Sequence, residues 1–121
     1  MEPSGFFSAN MAIAVFCFTM GNILGWYSSN LQFVSEFWKG KVFLSILTFG
    51  IPSLAFYWFG SKHAMIAVPE LWTVRFVGFT MSYLAFPIMT WYYMGESPFS
   101  IKNMICIFFA LCIILTQFFL G

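Results

Sequence analysis

Reactive side chains are few and far apart in this chain. The acids are Glu2, Glu36, Glu70 and Glu96; the other candidates are one histidine (His63), one arginine (Arg75) and three cysteines (Cys17, Cys106, Cys112). They form no Ser/His/Asp set, no metal-ligand spacing and no glycine-rich nucleotide loop. The expectation is a protein that is not an enzyme, with no metal and no cofactor. The cysteines lie in apolar runs without CxxC or Cys/His spacing, so they read as small buried hydrophobes. His63 falls in a polar stretch and reads as an ordinary loop residue.

The remaining pointers are polar groups set among apolar ones, which are costly in a lipid environment unless paired or wet. Asn22 is the first. Gly21 and Gly25 form a GxxxG pair beside it, and Cys17 and Ser29 extend the same i, i+4 row, a pattern that lets a second helix approach closely. Asn22 then either bonds across that helix seam or lines a substrate path. Glu70 and Arg75 form the second group. At five residues apart they are about 140° around a helix and do not face each other. Either they anchor the chain at the interface or they face a cavity and handle a charged substrate. The candidate lining residues are Asn22, Glu70, Arg75 and Tyr83; the candidate packing residues are Gly21, Gly25 and Ser29.

The elements that must position these groups follow from composition. The 121 residues are 61% hydrophobic and 7% charged, against roughly 25% charged in soluble domains. So few charges cannot cover a water-soluble surface, and an integral membrane protein is expected, with the lipid bilayer as its first partner and the cell (inner) membrane as its location. A net charge of +1 leaves no basic patch for nucleic acid. Apolar runs at about 6–26, 42–59, 71–93 and 101–120 are each near the ~20 residues that cross a bilayer as a helix. The start, with Glu2 and Pro3 and no basic segment, does not read as a signal peptide. The short breaks imply one domain over 1–121: an all-α, antiparallel, up-and-down bundle of four transmembrane helices. Lys39, Lys41 and Lys102 fall on one side of it, Lys62 and Arg75 on the other, so the charge bias barely sets an orientation. Pro52 and Pro87 fall inside spans, where each removes a backbone donor and frees a carbonyl, at Thr48 and Tyr83. Both are candidate hinges.

The stretch "WYYMGESPFSIKN" marks the last turn between spans. Gly95 is suited to close a helix and Ser97 to cap the next, with Pro98 in its first turn and Ser100 as a second cap register. Glu96 then sits near a helix N-terminus as a wet, structural charge. "PIMTWYYMGESPFSIKN" resembles the hairpin between the last two helices of drug/metabolite-transporter repeats, and "GNILGWYSSNLQF" resembles the end of the first helix in small four-helix members of that superfamily. The resemblance covers nearly the whole chain. It implies a small-molecule transporter acting as a dimer. Small multidrug-resistance proteins couple protons through a Glu in the first helix; the corresponding place here is Cys17 or Phe18, and the first span has no acid. Span four has Cys106 and Ala110 but lacks the glycine seam. The resemblance therefore does not by itself imply proton-coupled export of cations or that dimer seam. The expected function is transport by a homodimer; the alternative is a non-transporting accessory subunit packed against partner membrane subunits. If the chain transports, Arg75 is the fixed charge nearest the interior, which favours an anionic or zwitterionic substrate, with Glu70 tuning access.

Overall fold

The computed structural model describes residues 8–120. Phe6 and Phe7, at the start of the first expected span, lie outside them. The described chain is helical and contains no strand: α1 (Ala9–Val34), α2 (Val42–Ala67), α3 (Leu71–Met94) and α4 (Ile101–Leu120). The first three are long and apolar enough to cross a membrane, and α4 is apolar over Ile101–Gln117. Phe43, Tyr92, Ile101 and Leu120 are each at least 80% exposed, so the outer surface suits lipid rather than water.

Local chemistry explains the boundaries. Ser8 caps α1 by accepting a hydrogen bond from the Met11 amide at 3.1 Å. A single 3-10 turn, Glu36–Trp38, leads towards α2. Early in α2 the helix widens into a π turn over Ile46–Gly50, immediately ahead of Pro52. Pro52 lacks an amide hydrogen, and its ring would press on the Thr48 carbonyl in a regular helix; widening accommodates both. α3 runs through Pro87 without a break. Gly95 closes it in the left-handed conformation (φ 74°), donating its N–H to Trp91 O at 3.1 Å.

Two local expectations need correction. The stretch 60–67, read as loop from its polar residues, is the last two turns of α2. Lys62 leans over the Trp58 ring at 5.9 Å, and His63 Nδ1 lies 3.0 Å from Asn10 Oδ1 of α1. His63 is thus a paired helical residue. The α4 cap is Ser100, whose Oγ accepts from the Asn103 amide at 3.3 Å. Ser97 instead closes a tight turn by accepting from the Phe99 amide at 3.0 Å, which leaves Pro98 ahead of the helix.

Helix α1 is central. Near its start, Met11, Ala14 and Phe18 pack with Ala64 and Ala67 from the end of α2 and with Val74 and Val77 from the start of α3, and Ile114 of α4 reaches the same cluster. Near its end, Trp26 is 1% exposed. Its indole stacks on Tyr93 at 5.2 Å and donates to Thr90 Oγ1 at 3.0 Å. The Tyr27 and Tyr93 hydroxyls meet at 2.7 Å. Trp91 and Tyr92 face outward as an interfacial belt would, but Tyr93 turns inward to clamp α3 onto α1.

Candidate functional site

The α1–α2 seam is built from small residues on both helices. A Cβ on Gly21 would stand 3.1 Å from the Tyr57 ring, and one on Gly60 would stand 3.0 Å from the Phe18 ring. Ser53 donates its hydroxyl to Gly21 O at 2.7 Å, and Ser45 donates to Ser28 O at 2.6 Å. Gly25 faces Ser53, with 3.4 Å between its Cβ position and Ser53 Oγ. Ser29 is exposed, and Ser28 takes its expected place in the seam. An i, i+4 row advances about 40° per step around a helix, so after three steps it has left the face on which it began.

Asn22 sits at the centre of this seam and is buried. Its Nδ2 donates to Phe18 O at 2.8 Å, and its Oδ1 accepts from the Tyr57 hydroxyl. It also lines a cavity. About 320 Å³ of space opens between α1, α2 and α3, bounded by Phe18, Asn22, Tyr57, Arg75, Phe79 and Ser82, among others. Asn22 therefore belongs to the seam, as one of its two expected roles required, and also to a cavity wall.

A second space of about 320 Å³ opens between α3 and α4, bounded by residues that include Ser82, Tyr83, Pro87, Thr90, Glu96 and Asn103. Ser82 and Phe86 line both spaces. Residues 75, 79, 82, 86 and 90 recur at the spacing of one helix face. From Arg75 to Thr90 that face rises about 22 Å.

The four candidate lining residues are thus divided. Asn22 and Arg75 share the first cavity and Tyr83 lines the second. Glu70 lies outside both: its Oε1 is 2.6 Å from the Thr73 hydroxyl. The same hydroxyl is 2.8 Å from the Gln117 side-chain amide. Thr73 has one proton to give, so it donates to Glu70 Oε1 or to Gln117 Oε1 and not to both at once. Arg75 projects over the Phe79 ring at 5.7 Å. Among the described residues no carboxylate pairs with it; the one ion pair there is Lys39 with Glu36 at 3.8 Å. No cluster of three or more potential metal ligands occurs among the described residues.

Tyr57 and Thr90 do not stand out in the sequence, and Ser82 stands out there only as a polar neighbour of Pro87. Tyr57 and Thr90 are recognisable through partners on other helices, and Ser82 through its place in the walls of two cavities. Taken together, the two walls offer hydroxyls, two side-chain amides, aromatic rings, one cation and one carboxylate. Compared with protein-family models, curated proteins and solved structures, the chain matches none of them.

Proposed function

We propose that the chain is a small-molecule transporter of drug/metabolite-transporter type. It crosses the bilayer four times in antiparallel, up-and-down order and works as a homodimer. One observation carries the reading: Ser82 and Phe86 line both cavities, and the face of α3 from Arg75 to Thr90 contributes to the walls of both. A solute moving along that face passes Arg75, Asn22, Ser82, Thr90 and Glu96 in turn. Pro87 lies midway along the part of α3 that lines the second cavity, so bending there alters its width. A second copy supplies the opposing wall, as paired repeats do in transporters.

The alternative is an accessory subunit docked on partner helices. It is favoured by the outward face of α4, where Met104, Ile105, Phe108 and Phe109 are all exposed. Reconstitution into liposomes with a current and tracer screen over organic anions, cations and neutral solutes separates the two. Saturable flux supports transport. Absence of flux for every solute, together with stoichiometric co-purification of larger membrane proteins, supports the accessory role.

A further inference from the structure

Resting on the transport reading, we propose that the cavity between α1, α2 and α3 takes an organic anion with an aromatic or otherwise apolar body. Zwitterions are disfavoured.

The cavity has one fixed charge, Arg75, and no acid in its wall. A guanidinium beside hydrocarbon requires an anion, water or a headgroup. Arg75 rests on the Phe79 ring, and among the described residues its N–H groups have no acceptor. That leaves the planar fork free for bidentate binding of a carboxylate.

The other polar groups do not compete for this role. Asn22 already donates to Phe18 O and accepts from Tyr57. The Tyr57 proton is therefore committed, and both side chains act as a fixed polar wall. Ser82 adds a hydroxyl near the far end. Phe18, Phe79, Phe86 and Val74 supply the apolar walls. An ammonium group would meet no carboxylate here: Glu70 lies beside Thr73 outside the cavity, and Glu96 belongs to the second one. The volume of about 320 Å³ falls at the small end of ligand pockets, which suits a single-ring solute.

The test uses the full chain in phosphatidylcholine nanodiscs and isothermal titration calorimetry. Benzoate, benzyl alcohol and benzylammonium serve as probes with one body and three head groups. Benzoate is expected to bind saturably and at least tenfold more tightly than the other two. Arg75→Gln should abolish benzoate binding with an unchanged size-exclusion profile, and Arg75→Lys should retain a weakened affinity. Tighter binding of benzylammonium, equal benzoate affinity in Arg75→Gln, or no binding of any probe overturns the inference. Flux is measured separately. Transport of a cation with no role for Arg75 removes the anion assignment and leaves transport standing. Arg75-dependent benzoate binding without flux of any solute removes transport and leaves the anion site standing.

Discussion

Tyr57 of α2 donates its hydroxyl to Asn22 Oδ1 of α1, tying a buried amide in the central helix to its nearest neighbour across the seam. Tyr57→Phe leaves that carbonyl oxygen without its donor while keeping the ring against Gly21. The expected cost is about 1 kcal/mol, in the range of interhelical hydrogen bonds in membranes. A double-mutant cycle with Asn22→Ala, read by thermal unfolding in detergent, should give a coupling energy of the same size. Strict additivity of the two variants would show that the contact contributes nothing.

The seam glycines should rank by the space around them. Gly60→Ala drives a methyl to 3.0 Å from the Phe18 ring and 3.1 Å from Cys17 Cβ, and Phe18 is itself 2% exposed and unable to yield. Its cost should be about 1–3 kcal/mol. Gly25→Ala meets only ordinary contact at 3.4 Å and should change stability by less than about 0.5 kcal/mol. Gly21→Ala should fall between them. Melting temperatures of the three variants check the order; a Gly25→Ala variant weaker than Gly60→Ala would contradict it.

The helical segments were legible in the sequence because each is a long apolar run, of about the 20 residues that a membrane-crossing helix would need. The end of α2 was not. Ser61, Lys62 and His63 look like loop in one dimension, and only the Trp58 ring and Asn10 explain how a polar stretch stays helical. Asn22 was visible as an anomaly, but Tyr57, its partner, resembled any other aromatic residue in a chain that is 23% aromatic. Arg75 and Asn22 could be named in advance, yet their shared cavity depends on how α1 and α3 align. The Trp26 to Thr90 hydrogen bond reports that alignment, and nothing local encodes it.

Thr80 is 3% exposed, and among the described residues its hydroxyl has no hydrogen-bond partner. It stands two turns along α3 from Thr73, which meets Gln117; Ala110 stands two turns back along α4. Thr80→Val removes an unmatched polar group and preserves the shape. Its melting temperature should equal or exceed the parent's. A fall of several degrees would reveal a hydrogen bond made by that hydroxyl in the membrane.

Pro87 lines the second cavity and leaves α3 short of one internal hydrogen bond. If this weak point works as a hinge, Pro87→Ala should stiffen α3. Solute binding should stay within about twofold of the parent, while turnover in liposomes should fall several-fold, the split expected when a conformational step limits rate. Equal turnover in the two proteins would assign Pro87 a static role.

Ser82 is the most direct place to test transport, because it lines both cavities and a large side chain there would intrude on each. The decisive measurement is solute flux into proteoliposomes containing the parent or Ser82→Trp, matched for protein content and for monodispersity before reconstitution. The account predicts saturable flux in the parent and a loss of at least tenfold in Ser82→Trp. Parental flux that survives Ser82→Trp unchanged, or an absence of flux in the parent for every solute class, would contradict it.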